Sequence, residues 1–383
     1  MSTEQSHKRL KILIFIDYYL PGNNSGGPVK SVQNIVNSLS ESIEFLIVTR
    51  NWDYSSEDEY ATTTPNKWST YEKNKIYYVS KDKLTFKTIR DIINQVEYHS
   101  MYINGCYSLY FSIIPTILGT KNKTILSLRG MIDEHSLNQK KIKKILFLKV
   151  ANFFGLYKEL IIHTTNNVET KNATKKIKNF SNIFEIPNLL GEYYINKKDY
   201  PKREELNFVC ISRISPEKGI ERLIKNLNQF NDIKINLDLY GPIKDINYWI
   251  KCQGSIRTKT NFTFNYKGIL KQSQVYETLS SNYDYFISFT YGENFGHSIA
   301  EAFQCGLPVI ISNKTPWLNL RSKKIGWDID PENKTAVLDT LREALIIKKS
   351  GYKNWSNNCL EFIKKQGNEK NISLYFKLLR REL

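Results

Sequence analysis

Short apolar runs alternate with amphipathic stretches along most of the chain. The runs in KILIFIDYYL (11–20), FLIVTR (45–50), KIYYVS (75–80), MYING (101–105), KTILSL (123–128), LIIHTT (160–165) and NIFEIPN (182–188) have the length and residue types of strands. A second series follows near 207–211, 234–239, 263–266, 284–288 and 308–312. Between the runs, apolar residues recur at helical spacing. Val32, Ile35, Val36 and Leu39 do so in a helix predicted to start near Val29, and Ile220, Leu223, Ile224 and Leu227 do so in another. Strand and helix in alternation predict an α/β protein with parallel, doubly wound sheets. EYYINKKDYPKREE (192–205) is polar, charged and carries Pro201, which makes it the expected linker between the two series. The tail from Trp355 reads as helix.

Length supports two cores, because 383 residues exceed what one ordinary domain holds. No apolar run approaches the ~20 residues that span a bilayer. MSTEQSHKRLK has no hydrophobic region behind its charges, so no secretory signal is expected. Cys106, Cys210, Cys252, Cys305 and Cys359 are odd in number and lack paired metal spacing, which predicts buried thiols in a reduced cytoplasm.

The net charge is +17, and it is unevenly placed. Residues 138–178 hold ten lysines against Glu159 and Glu169. Within 138–160, Ile142, Ile145, Leu146, Lys149, Phe153 and Leu156 mix basic and apolar character at helical spacing. Two readings are open there: a helix suited to an anionic membrane surface, or a solvated lysine face over a core stripe. The chain shows no RNP aromatic pattern, zinc finger or recognition-helix motif, so no nucleic-acid partner is expected.

Candidate chemistry gathers in YGENFGHSIAEAFQCGLPVI (291–310). Ile299, Ala302 and Phe303 form one stripe of a helix predicted from Phe295 to Gln304, ended by Cys305-Gly306. Glu293 then precedes the helix and Glu301 lies within it. Amides at Asn294, Phe295 and Gly296 would form its N-terminus, which suits an anion or sugar hydroxyls. Taken alone, the pattern of Glu293 and Glu301 better suits a solvated helix with two surface glutamates. Upstream, Arg213 and Lys218 occupy the turn between a strand (206–211) and a helix, where α/β sheets bind ligands. A guanidinium and an ammonium in that turn suit a diphosphate. Gly26 and Gly27, between the first strand and helix, would allow close backbone approach to a ligand or simply form a flexible loop.

Together these segments resemble the retaining glycosyltransferases of family 4. The resemblance rests on GGPVKSVQNIVNSL (26–39), SLRGMIDEHSLNQKKIKK (127–144), IPN (186–188), SRISPEKG (212–219), LYGP (239–242), YKG (266–268) and ENFGHSIAEAFQCGLPVI (293–310), in the family's order over roughly residues 11–320. It implies the GT-B fold, two Rossmann-like doubly wound domains facing a central cleft. The expected boundaries are 1–195 for an acceptor domain and 196–364 for a donor domain, with a helix at about 365–383 crossing back.

The resemblance also implies an activity: transfer of a sugar from a nucleotide-diphosphate sugar to a glycan or lipid-linked acceptor, with configuration retained. Arg213 and Lys218 would hold the diphosphate and Gly27 would add a backbone contact. Glu301 would take ribose hydroxyls, while Glu293 and the amides of Asn294, Phe295 and Gly296 would grip the sugar. His297 would face the donor sugar or cap its helix. His135 follows Arg129-Gly130 in a segment like the family's acceptor-facing loop and is the candidate acceptor-side catalytic residue, the alternative being a surface histidine.

No cofactor and no metal are expected. The one Asp-x-Asp triplet, Asp328-Ile329-Asp330, follows Gly326-Trp327 and reads as a turn. Ser212 and Leu189 stand where the family usually has glycine, and neither change removes a charged contact. A sugar phosphorylase, a nucleotide-sugar epimerase and an inactive membrane-surface binding protein are the competing readings. With 138–160 on an anionic surface, the expected place is the inner face of the cytoplasmic membrane, in assembly of bacterial capsule or lipopolysaccharide.

Overall fold

The computed structural model describes residues 9–22, 24–133, 136, 141–191, 204–256 and 261–383. His135, Lys140, residues 1–8 and residues 192–203 of the expected linker lie outside the described residues. The chain forms two compact units, unit 1 being Met1–Leu189 with Asn368–Leu383 and unit 2 being Leu190–Gly367.

Unit 1 runs β1 (Leu10–Ile16), α1 (Gly27–Leu39), β2 (Ile43–Arg50), β3 (Trp68–Tyr71), β4 (Asn74–Val79), α2 (Phe86–Asn94), β5 (Ser100–Asn104), α3 (Ile114–Leu118), β6 (Thr124–Ser127), α4 (Lys141–Phe153), β7 (Ile161–Thr164), α5 (Asn167–Lys176) and β8 (Asn182–Glu185). Its sheet has the order β3-β4-β2-β1-β5-β6-β7-β8. All pairings are parallel except that of β3 with β4, a hairpin edge the apolar pattern did not predict. Because successive strand side chains alternate faces, Ile12, Ile14 and Ile16 join Val32, Ile35 and Val36 of α1 in one core layer. Leu13 and Phe15 join Ile89 and Ile92 of α2 in the other.

Unit 2 runs β9 (Glu205–Ile211), α6 (Ile220–Leu227), β10 (Lys234–Tyr240), α7 (Ile246–Gly254), β11 (Phe262–Tyr266), α8 (Val275–Leu279), β12 (Tyr285–Ser288), α9 (His297–Gln304), β13 (Val309–Ser312), β14 (Gly326–Ile329), α10 (Lys334–Ser350) and α11 (Tyr352–Gln366). The sheet is parallel throughout, in the order β11-β10-β9-β12-β13-β14. The chain steps outward from β9 to β11, then returns to the other side of β9 with β12. That reversal is a topological switch point between β9 and β12.

Two expectations are corrected here. Asp328 is not in a turn: it pairs with Ile311 in edge strand β14, and its carboxylate accepts the amides of Asn319 and Leu320 at 3.0 and 2.8 Å. The helical tail is two helices, because Gly367 at φ +48° ends α11 and α12 (Glu369–Arg380) starts afresh. That last helix belongs to unit 1, where Tyr375, Leu378 and Leu379 are buried beside Ile14 and Tyr102.

The centre of unit 1 also holds a polar group. His163 on β7 is fully buried, with Nε2–H donating to the Ile186 carbonyl at 3.0 Å. Its Nδ1 accepts from the Tyr102 and Ser127 hydroxyls at 2.9 and 3.0 Å. Burial first, and then the Arg129 charge, push its pKa from 6.5 down to about 3. The unfolded chain therefore binds a proton near pH 6.5 that the folded unit refuses. This contribution is complete above that pH and is lost by about 1.4 kcal/mol per pH unit on acidification, until the folded pKa is reached. Urea unfolding of the parent and of His163→Gln between pH 7.5 and 5 should give a flatter pH dependence for the variant. Equal slopes would assign the acid sensitivity to other groups.

Candidate functional site

In open α/β sheets ligands bind outside the carboxyl ends of the strands, at the switch point. The loop after β9 (212–219) and the loop after β12 (289–296) flank that point in unit 2. They are stitched together by backbone. Gly219 adopts φ +65°, and a Cβ there would lie 2.1 Å from the Phe289 carbonyl oxygen. The Glu217 carbonyl accepts from the Tyr291 amide and the Thr290 hydroxyl, each at 3.0 Å. Arg222, one turn into α6, donates to the carbonyls of Phe289 and Thr290, and its guanidinium lies 3.9 Å from the centre of the Tyr291 ring.

This framework brings two predicted residues, Lys218 and Glu293, into contact. Lys218 Nζ and Glu293 Oε2 form an ion pair at 2.5 Å, with both side chains largely screened from solvent. Arg213, in the turn after β9, makes no side-chain hydrogen bond or ion pair among the described residues, although its charge is felt by Glu217. The turn itself is fixed, because the Ser212 and Ile214 amides bond to the Tyr240 and Pro242 carbonyls, both at 2.9 Å. A guanidinium without a protein acceptor among the described residues, in the same loop as a lysine, suits a bidentate oxyanion.

The helix that follows begins two residues later than expected. Gly296 has φ +81°, a left-handed conformation that cannot continue into a right-handed helix, so α9 starts at His297 with Gly296 as its N-cap. Asn294 and Phe295 thus belong to the loop. The Phe295 carbonyl accepts from Trp317 Nε1 at 2.5 Å, and its ring packs edge-on against the same indole. The Glu293 amide bonds to the Lys314 carbonyl at 3.2 Å. Within α9, His297 and Glu301 are four residues apart and share a face. Glu301 is 7% exposed, and Gln272 Nε2 lies 3.5 Å from its Oε1.

Trp317, Arg222 and Thr290 were not singled out from the sequence. Arg222 sits on the polar face of the predicted helix, four residues after Lys218, and that spacing was the only signal available. Gly26 and Gly27 lie in unit 1 at the start of α1: Gly26 is its N-cap at φ +69° and Gly27 its first residue, two places before the expected start. His135, the acceptor-side candidate, lies outside the described residues.

Residues 195–362 match the family described as glycosyl transferases group 1. That span contains Arg213, Lys218, Glu293 and Glu301. One curated relative, the GtfA subunit of a UDP-N-acetylglucosamine–peptide N-acetylglucosaminyltransferase from Streptococcus agalactiae, is 27% identical over 155 residues. The match covers 38% of this chain, which spans only 29% of that relative's length. Solved structures match over nearly the whole chain. Sucrose-phosphate synthase from Thermosynechococcus elongatus aligns with a TM-score of 0.72 at 16% identity, covering 98% of this chain and 99% of its own. Anabaena HepE in complex with UDP-glucose aligns at 0.69 and 14%, covering 98% and 100%. WaaG, a glycosyltransferase involved in lipopolysaccharide biosynthesis, aligns at 0.66 and 12%, covering 97% and 99%. The fold is GT-B, with two Rossmann-like α/β units.

In the domain that matches glycosyl transferases group 1, Gly219 is the contact that sets how near the two loops approach. Gly219→Ala must push Phe289 away and strain a left-handed residue, at a cost of about 1–2 kcal/mol for the backbone conformation alone. The variant should lower the urea midpoint of unit 2. An unchanged midpoint would mean that the loops separate freely.

Proposed function

We propose that the protein is a retaining glycosyltransferase of family 4. It moves a sugar from a nucleotide-diphosphate donor to a hydroxyl of a lipid-linked glycan, in assembly of a bacterial capsule or O-antigen. The observation that carries this reading is the ion pair of Lys218 and Glu293, with Arg213 in the same loop after β9, at the switch point of a domain matching glycosyl transferases group 1. The UDP-glucose held by HepE and the lipopolysaccharide role of WaaG support a nucleotide-sugar donor and a cell-surface product.

In this scheme the bond between the anomeric carbon and the diphosphate oxygen breaks, and its electron pair stays on the phosphate. Arg213 and Lys218 stabilise the charge that grows there, which speeds the step because the charge is largest in the transition state. The acceptor oxygen bonds to the same face of the sugar, and its proton passes to the departing phosphate. Glu301 accepts ribose hydroxyls and Glu293, with the 294–296 loop and His297, takes sugar hydroxyls; Gly26 and Gly27 add backbone contacts to the donor, and His135 serves the acceptor side. The Lys218–Glu293 pair positions both groups before the donor arrives: the ammonium turns toward phosphate, and the freed carboxylate toward the sugar. Neither metal nor cofactor is needed.

Unit 1 supplies the surface on which a lipid-linked acceptor would be met. No helix among the described residues is long and apolar enough to cross a membrane. On α4, however, Ile142, Leu146, Val150 and Phe153 recur at i, i+4, i+8 and i+11, with exposures of 82, 59, 46 and 84%, and Phe154 is 77% exposed. Only Leu148 and Ala151 of this helix are buried. Exposed Lys141, Lys143 and Lys149 border the stripe. An apolar stripe edged by lysines matches an anionic bilayer surface on the inner face of the cytoplasmic membrane.

Two measurements test the proposal. Arg213→Ala and Lys218→Ala should each lower kcat more than they raise the donor KM, by about 2–4 kcal/mol of transition-state stabilisation. Unchanged turnover in both would remove the pair from the chemistry. For the surface, Lys141→Gln/Lys143→Gln/Lys149→Gln should abolish salt-sensitive co-sedimentation with anionic liposomes, each lysine contributing ~1 kcal/mol. Transfer to a short water-soluble acceptor should survive, and sedimentation equal to the parent's would make α4 an ordinary solvated face.

A further inference from the structure

Arg129 lies at the carboxyl end of β6, the edge where a parallel sheet receives ligands. Its guanidinium is fixed by three neutral acceptors. Nε donates to Asn104 Oδ1 at 2.7 Å, Nη1 to Asn188 Oδ1, and Nη2 to the Tyr102 hydroxyl at 2.7 Å. Asn104 ends β5, and Asn188 follows β8 by three residues, so the side chain is clamped across one end of the sheet. Among the described residues it forms no ion pair. The nearest carboxylate influence is Glu169, whose own oxygens are taken by the Gly130 amide and by the amide and hydroxyl of Thr165.

A guanidinium has five N–H donors, and Asn104, Asn188 and Tyr102 use three of them, with the Tyr375 side chain close to the rest. Terminal guanidinium donors not used by Asn188 and Tyr102 suit the oxygens of a phosphate or carboxylate. The backbone is held in an uncommon state for this purpose. Arg129 and Gly130 adopt φ +53° and +72° in succession, and a non-glycine residue in the left-handed region is strained. The buried Tyr375 side chain also contributes to the electrostatics of the same guanidinium. A cation rigidly oriented by neutral groups and short of a counter-ion is organised to receive one.

We propose that Arg129 is the anion-binding residue of the acceptor site, taking an oxyanion of the acceptor: a phosphate of a lipid carrier or the carboxylate of an acidic sugar. This rests on the transferase reading of the chain. The anion would fix the acceptor in unit 1.

The test uses the full chain carrying Arg213→Ala and Lys218→Ala, so that donor-phosphate contacts do not mask the result. Calorimetric titration with inorganic phosphate and with glucuronate should show binding of at least one probe. Arg129→Gln should weaken it about ten- to a hundred-fold, as expected for loss of a charge-assisted pair, and Arg129→Lys, which keeps charge but not the fork, should weaken it less. Preference for phosphate assigns the carrier, and preference for glucuronate the acidic sugar. If Arg129→Gln does not fold, by circular dichroism, Arg129→Lys decides. Binding that is absent in the background chain, or unchanged in a folded variant, overturns the proposal and leaves Arg129 as a structural tie. Failure of the transferase reading is read separately: with Arg213 and Lys218 intact, no nucleotide sugar would then stabilise the protein against heat.

Discussion

A carbonyl oxygen stands where a side chain on residue 219 would have to go, and the candidate site of unit 2 depends on that exclusion. Because Gly219 has no Cβ, the loops after β9 and β12 touch through backbone, and Tyr291, Thr290 and Arg222 can bond across the junction. Lys218 and Glu293, from sequence positions far apart, then meet as an ion pair. Without the close approach, the same residues would be two unrelated exposed charges. The sheet contributes the other constraint: strand order reverses at this point, the place where open α/β sheets receive ligands.

Much of this was legible in the sequence because it is periodic. Buried strands such as ILIFI and helix stripes such as Ile220-Leu223-Ile224-Leu227 repeat at the spacing that burial imposes, and the structure buries them. What escaped the pattern is non-local or aperiodic. β14 is four residues long with two aspartates nearby, and it is a strand only because β13 offers a pairing edge. The start of α9 depends on one left-handed glycine, which leaves no trace in hydrophobic spacing. Trp317 reaches the site by a hydrogen bond to a carbonyl 22 residues away, and nothing about a lone tryptophan in a loop announces that. On α4 the sequence did indicate a mixed basic and apolar surface, but only the fold decides that Leu148 and Ala151 face inward while Ile142 and Phe153 face out.

Polar groups in the two units are treated differently. In unit 2 the buried Lys348 and Asp284 neutralise each other at 2.6 Å, far from the switch point at the opposite ends of β9 and β12. In unit 1 the buried His163 is kept neutral, and Arg129 keeps its charge among amides and a phenol. Closed pairing suits a scaffold. Open charge suits a surface that must recognise something.

Unit 1 is discontinuous in sequence, since α12 supplies Tyr375, Leu378 and Leu379 to its core and the Leu379 carbonyl accepts from Ser100 at 2.6 Å. During synthesis, β1 to β8 leave the ribosome long before that helix is made. The whole of unit 2 intervenes, and it can complete its own core while the first unit still lacks one wall. Nascent chains of this protein therefore present an unfinished apolar face throughout the translation of residues 190–367, which makes this interval the one in which chaperones have most to protect.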